Sequence, residues 1–146
     1  MPLVIVGHPG WNSEHLHERI KSMEGSGGIK YLGFVPQSQI PSIFAGARAL
    51  LFPSLYEGFG LPVLEAMQSG TAVLTATNSA MSEVTRNSAS LIDITDQENM
   101  AQEIGRLAYD DQRIRELEIA GLERSKAFSW DRCAEETLAV YKELAA

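Results

Sequence analysis

The sequence lacks the features that would place it in several large classes of protein. It has one cysteine, Cys133, in 146 residues, so no disulfide can form within the chain. Unpaired cysteine is typical of a reducing compartment, and the sequence therefore favours a cytoplasmic protein. Its apolar runs are far shorter than the roughly 20 residues that cross a bilayer, so no membrane span is predicted.

Positive charge and metal ligands are also scarce. The chain carries 12 Lys and Arg against 19 Asp and Glu, which gives a net charge of -7. Nucleic acids and anionic membranes require a basic surface, so neither is expected to bind this chain by itself. His15 and His17 lie two positions apart on a predicted helix and face different directions, and Cys133 has no partner at metal-ligand spacing. No metal site is predicted.

What the sequence does have is an alternation of short apolar runs with helical patterns. Strands are predicted at residues 3–6, 29–32, 50–52, 72–75 and 91–92, with amphipathic helices between them. The first run is continuously apolar, which predicts a strand buried on both faces. This order indicates an α/β fold, a parallel sheet with helices on both faces, in which ligands bind beyond the carboxyl ends of the strands.

From residue 95 onward only helices are predicted. Thr95 and Glu98 have the spacing of a capping box at the start of one helix, and Ser129 is placed to cap the last one. The helical period turns one apolar face of this last helix inward, with Cys133 as a further small buried residue. The inward-facing residues are Trp130, Ala134, Thr137, Tyr141 and Leu144.

The segment "SLYEGFGLPVLEAMQSG", residues 54–70, places two acids around a flexible corner. Pro62 suits the first position of a helix over residues 62–69, and Gly58 and Gly60 let the backbone approach a ligand closely. Helix side chains lean toward the N-terminus, so Glu65 leans back toward the same opening that Glu57 can face.

Such a corner can hold a ligand with both phosphate and polyol parts. The helix N-terminus favours an anion, and carboxylates accept strong hydrogen bonds from hydroxyls, so a nucleotide sugar is one candidate. The spacing leaves two alternatives open. Glycine and proline are common at strand–helix junctions for structural reasons, and paired carboxylates also occur in glycosidases.

The segment "FPSLYEGFGLPVLEAMQSG" closely resembles the E-x7-E signature of retaining glycosyltransferases with the GT-B fold, in the family usually numbered four. Other motifs agree in order, namely "LVIVG", "YLGFVP", "LFPS", "SEV" and "FSW", so the resemblance covers almost the whole chain. The sequence departs from the family's usual "G-x-P-V" at Gly70-Thr71-Ala72-Val73, which lies away from the expected chemistry.

The resemblance implies a protein of two Rossmann-like domains, of which this chain is the C-terminal half of the GT-B fold. Residues 1–146 are then a single nucleotide-sugar-binding domain. The first strand–helix unit and the N-terminal acceptor domain would lie outside the chain. A glycan or lipid-linked acceptor would bind that other domain, and any peripheral association with the inner membrane would use the same missing parts. The chain alone is then expected to be inactive.

The resemblance also implies roles for particular residues. Glu57 becomes the catalytic-centre residue that contacts the donor sugar, and Glu65 binds the ribose hydroxyls. The remaining donor-binding residues are Gly58, Phe59, Gly60 and Leu61 at the sugar and distal phosphate, Gly7 beside the cleft, and Phe34 and Val35 near the base. No metal or other cofactor is implied. "GHPGW" is similar to a "GxxGW" stretch in bacterial mannosyltransferases, which favours GDP-mannose as the donor.

The sequence is also consistent with other functions. The domain could be a non-catalytic binding or assembly module that keeps the same fold, with the last helix as its contact surface. Another GT-B enzyme, such as an epimerase or a phosphorylase, matches "EGFGLPVLEAM" less well. Trp11 is expected to pack, and Tyr56 is as consistent with a cleft position as with a surface one.

Overall fold

The structure is a computed structural model that describes residues 1–25, 27–78 and 80–145. The chain forms two compact units, Met1–Ile43 and Phe44–Ala146. None of the helices in these described ranges is long and apolar enough to cross a membrane.

The first unit contains a small parallel sheet and one long helix. Its elements are β1 (Leu3–Val6), α1 (Glu14–Glu24), β2 (Ile29–Gly33) and a short 3-10 helix (Gln37–Gln39), after which α2 (Ile40–Gly46) runs into the second unit. β1 and β2 are parallel, with Leu3 opposite Ile29, and α1 packs against β2 through the buried Ile20. Both predicted strands are confirmed.

The predicted burial in this unit is wrong. Leu3 is 43% exposed and Val4 42% exposed, although β1 was expected to be buried on both faces. Burial of both faces needs a layer on each side, and in the described part of this unit β1 pairs with β2 alone. Trp11 was expected to pack, but it lies in the turn between β1 and α1 and is 97% exposed.

The second unit contains the larger sheet and most of the helices. Its elements in chain order are β3 (Ala49–Phe52), α3 (Leu61–Gln68), β4 (Ala72–Ala76), α4 (Met81–Thr85), β5 (Ser90–Ile92), α5 (Gln97–Tyr109), α6 (Asp111–Ser125) and α7 (Trp130–Leu144). The three strands pair in parallel in the order β3-β4-β5. The predicted strands in this region are confirmed to within one residue at each end.

Helices cover both faces of this sheet, so the central strand β4 is buried on both sides. Val73 packs with Val63 and Met67 of α3 and belongs to one cluster of the core. Leu74, the next residue, points the other way and packs with Leu107 of α5 and Leu117 of α6. Successive strand residues alternate between the two faces, so one apolar run serves both clusters. The predicted α/β architecture, with parallel strands between helices, is confirmed.

Asp and Ser side chains cap the last three helices. Asp96 accepts from the Asn99 N–H at the start of α5, so the prediction of a Thr95 cap is wrong. The Thr95 hydroxyl instead donates to the carboxylate of Asp93, two residues back, which competes with capping. The predicted Ser129 cap of α7 is confirmed, because its hydroxyl accepts from the Arg132 N–H.

The apolar face of α7 is exposed, against the prediction that it points inward. Trp130 is 78% exposed, Tyr141 67% and Leu144 80%, and Cys133, expected to be a small buried residue, is also exposed. Helical periodicity identifies which face would be buried, but burial also needs a surface to pack on. The described part of the chain supplies none for this face.

Candidate functional site

The glycine corner, residues 58–60, joins the loop after β3 to the start of α3. Gly60 is the N-cap of α3 and has φ 86° and ψ 54°, in the left-handed region. Its carbonyl accepts from the N–H groups of Val63 (3.0 Å) and Leu64 (3.3 Å). The helix begins at Leu61, so Pro62 is its second residue rather than the predicted first. Proline suits either position, because the N–H groups of the first residues of a helix have no partner within the helix.

Gly60 is required at this corner for two reasons. A positive φ is unfavourable for residues with a β-carbon, and Gly60 is also buried against the side chain of Met81. A β-carbon at Gly60 would lie 2.9 Å from the Met81 sulfur. At Gly58 a β-carbon would meet no atom within 4 Å, so only one of the two glycines is structurally constrained.

Side chains at the end of β4 hold the loop that precedes the corner. The Thr75 hydroxyl donates to the carbonyl of Phe52 at 2.9 Å, and the Asn78 amide donates to the carbonyl of Leu55 at 2.6 Å. Sequence reasoning missed both residues. A Thr in a strand and an Asn after it give no signal that they bond to a segment more than twenty residues earlier.

The two glutamates of the signature lie on either side of the corner. Glu57 in the loop and Glu65 in α3 are both half-buried, so neither carboxylate is enclosed in the core. Glu65 lines a cleft of about 780 Å³, together with Phe59 and Leu61.

The other walls of this cleft come from α4, the end of α6 and the first turns of α7, and they carry charges of both signs. The charged lining residues besides Glu65 are Glu83, Arg86, Arg124, Arg132 and Glu136. Partial burial, followed by the nearby Arg86 guanidinium, lowers the pKa of Arg124 from its ordinary value. Arg132 pairs with Glu136 at 2.7 Å, and this hydrogen bond raises the pKa of Arg132. The cleft therefore offers donors and acceptors beside aromatic surface.

The remaining predicted donor-binding residues lie in the first unit, at the carboxyl ends of β1 and β2. Gly7 follows β1, and its N–H donates to the carbonyl of Gly33 at 2.9 Å. The Tyr31 hydroxyl donates to the carbonyl of Gly7 at 2.8 Å. Phe34 is 64% exposed and stacks on His8, with ring centroids 4.9 Å apart.

Val35, the other predicted base contact, follows Phe34 and is half-buried. The predicted site residues thus form two groups, one in each unit. Gly7, Phe34 and Val35 belong to the first group, and residues 57–61 with Glu65 belong to the second.

Metal-ligating side chains do not cluster anywhere in the described ranges. Among those residues, no group of three or more His, Cys, Asp or Glu side chains could hold a metal ion.

Comparison with solved structures identifies the fold. The C-terminal domain of a glycosyl transferase group 1 family protein, LpcC from Francisella tularensis, is 22% identical and matches with a TM-score of 0.74, over 86% of this chain and 68% of that one. HepE from Anabaena, solved in complex with UDP-glucose, is 20% identical and matches with a TM-score of 0.84, over 97% of this chain and 41% of that one. At these identities the matches show the fold alone.

Comparison of sequences identifies the family. The O-antigen chain mannosyltransferase B of Escherichia coli is 37% identical over 142 residues, which are 97% of this chain and 37% of that protein. The chain thus spans about a third of the length of the curated relatives that it matches. The family model for glycosyl transferases group 1 matches residues 1–124. The chain belongs to the glycosyl transferases group 1 family and has the fold of a GT-B C-terminal domain.

Proposed function

We propose that this chain is the donor-binding domain of a retaining hexosyltransferase and that it binds a nucleoside diphosphate sugar. One observation carries the proposal. The glycine corner lies at the start of α3, beyond the carboxyl end of β3, with Glu57 and Glu65 half-buried on either side of it. Ligands of parallel α/β sheets bind at this edge, and helix N-termini favour phosphate.

Each part of the corner has a role in the proposed complex. The N–H groups of residues 58–61 and the positive end of the α3 dipole hold the diphosphate. They also stabilise the negative charge that grows on it as the sugar departs. Glu65 accepts hydrogen bonds from the ribose hydroxyls, and Glu57 accepts them from the hydroxyls of the donor sugar at the reaction centre. The sugar is transferred with retention of its anomeric configuration.

In the first unit, Phe34 and Val35 are proposed as contacts of a nucleotide base, with Gly7 beside them. Phe34 presents an exposed ring that is stacked on His8, and Val35 and Gly7 lie at the same strand ends. An aromatic face beside an apolar side chain suits a flat heterocycle.

Similar proteins support a nucleotide sugar as donor, with mannose as the sugar. HepE is solved with UDP-glucose, and the Escherichia coli relative is an O-antigen chain mannosyltransferase. We propose GDP-mannose for this chain, used without a metal ion or other cofactor.

We propose that acceptor binding and any membrane contact depend on parts of the protein outside this chain. The acceptor is a glycan or a lipid-linked glycan that binds an N-terminal domain outside this chain. The protein is cytoplasmic, and any contact with the inner membrane is made by parts outside the chain. The chain alone is then expected to bind donor without transferring sugar.

A thermal-shift panel tests the proposal with UDP, GDP, ADP and their sugar conjugates. A ligand that binds only the folded state at a hundred times its Kd stabilises by about 2.7 kcal/mol, which is a shift of roughly 5–10 °C for a domain of this size. GDP and GDP-mannose should give the largest shifts, and Glu65→Gln should reduce them. Glu98→Gln, on the first turn of α5, is the matched control. Equal melting temperatures with and without every nucleotide would contradict the proposal.

A second candidate function is an assembly module, which the exposed face of α7 favours. Trp130, Tyr141 and Leu144 form an apolar stripe with more than half of each side chain exposed. Exposed apolar patches of this kind mark interaction surfaces. Light scattering decides between the two: a stable dimer that no nucleotide affects, and that Tyr141→Ser dissociates, would favour assembly over donor binding.

A further inference from the structure

Arg124, at the end of α6, binds the end of the short helix α4. Its Nε donates to the carbonyl of Val84 at 2.9 Å and its Nη2 donates to the carbonyl of Glu83 at 3.0 Å. The last carbonyls of a helix have no partner within the helix, and α4 has only five residues, Met81–Thr85. The planar guanidinium thus caps α4 with two donors in a fixed fork.

The same guanidinium contacts an aromatic pair that reaches the glycine corner. The Cζ of Arg124 lies 4.6 Å from the centroid of the Phe128 ring, as a cation over an aromatic face. Phe128 in turn meets Phe59 edge to face, with centroids 5.7 Å apart and planes at 83°. Phe59 is the middle residue of the corner, between Gly58 and Gly60.

The corner is contacted at two points, and Arg124 touches the element behind each of them. Met81, the first residue of α4, fills the space beside Gly60, and Phe128 contacts Phe59. Arg124 caps the helix that carries Met81 and covers the ring that contacts Phe59. Arg124 is half-buried, and its Nε bond to Val84 is partly shielded from water, which strengthens a hydrogen bond relative to an open surface.

We infer that Arg124 and Phe128 are positioning residues that fix the glycine corner in its donor-binding conformation. The effect on donor binding rests on the proposed function, because the corner is the part proposed to bind the diphosphate and sugar. It predicts a division of effects: loss of Arg124 weakens binding of the diphosphate sugar, while binding of the nucleoside part, which Glu65 holds, changes little.

Amide hydrogen exchange of the chain without nucleotide tests the contacts themselves. The reporters are the N–H groups of Val63 and Leu64, which donate to the Gly60 carbonyl. Arg124→Ala and Phe128→Leu should raise their exchange rates about fivefold or more, as expected for the loss of contacts of this strength. Arg124→Lys should also raise them, because an ammonium cannot supply the fork and the stacked plane together.

The matched control is Arg115→Ala, which removes an exposed arginine earlier on α6. It should leave both rates unchanged, and the Ile114 amide serves as an internal reference for intact folding of α6 in every variant. Unchanged exchange at Val63 and Leu64 in Arg124→Ala would overturn the inference.

Titration with GDP-mannose, GDP and guanosine tests the consequence. Arg124→Lys should weaken the binding of GDP-mannose and GDP several-fold and that of guanosine less than twofold. Equal losses of affinity for all three ligands would overturn the positioning role and would indicate a general structural role instead. If wild-type chain binds none of them, the proposed function fails, whereas the exchange rates still decide whether Arg124 fixes the corner.

Discussion

The sulfur of Met81 lies 2.9 Å from the point that a β-carbon on Gly60 would occupy. Met81 is fully buried, and Gly60 adopts a φ of 86°. The corner that precedes α3 is therefore shaped by backbone conformation and by packing at the same position. Among the glycines that the structure describes, only Gly60 combines a positive φ with so close a contact.

Substitution of Gly60 by alanine is expected to destabilise the domain and distort the corner. The left-handed conformation costs a residue with a β-carbon about 1–2 kcal/mol, and displacement of the Met81 side chain adds to this cost. Urea unfolding of Gly60→Ala should show a loss of about 1–3 kcal/mol.

The control for this prediction is Gly105→Ala in α5. A β-carbon there meets nothing within 4 Å, and alanine favours the helix, so stability should rise by up to about 1 kcal/mol. Gly60→Ala as stable as the wild type would show that the corner is not constrained in this way.

The two glutamates are expected to affect different parts of the donor. Glu65→Gln should weaken GDP and GDP-mannose about tenfold, because a charge-assisted hydrogen bond to the ribose is lost. It should have little effect on a dideoxy analogue that lacks the ribose hydroxyls. Glu57→Gln should weaken GDP-mannose by a similar factor and leave GDP unchanged. Calorimetric titration separates these cases. Weaker binding of GDP by Glu57→Gln would contradict the assignment of Glu57 to the donor sugar.

The Arg48–Asp111 pair is expected to make stability depend on pH in the acid range. Arg48 Nη2 donates to Asp111 Oδ1 at 2.7 Å, and this hydrogen bond holds the pKa of Asp111 below its ordinary value of 3.8. A carboxyl whose pKa is lower in the folded state contributes stability above the unfolded value, which is lost as the pH falls through the folded one.

Comparison of the wild type with Asp111→Asn tests this sign. The wild type should be the more stable at pH 6, and the difference should shrink below pH 3.8. The effect should be small and should weaken in high salt, because Asp111 is exposed. Asp131→Asn, a surface acid at the start of α7, is the control. A difference that grows toward low pH would contradict the account.

The sequence predicts those parts of the fold whose causes are local. The strands follow from short apolar runs, and the corner follows from Gly58, Gly60 and Pro62 ahead of a helical stripe. The Schellman bonds that end α3, from Gly70 to Met67 and from Thr71 to Ala66, likewise depend on a glycine that the sequence marks.

Features that depend on distant partners could not be predicted in this way. Nothing in the sequence joins Phe59 to Phe128, or Arg124 to α4, since each contact appears only when helices far apart in the chain pack together. The predicted burial of Trp130 is wrong although its local prediction is right. Its helical phase is as expected, but the described part of the chain offers no surface to cover it.

Amide chemical shifts during a titration with GDP give the sharpest test of donor binding at the glycine corner, because they locate the ligand as well as detect it. We expect chemical-shift changes centred on residues 58–61 and on Glu65, and these changes should be greatly reduced in Glu65→Ala. Saturating GDP, UDP and ADP that leave these amides unmoved, or that move only residues elsewhere in the chain, would contradict donor binding at the corner.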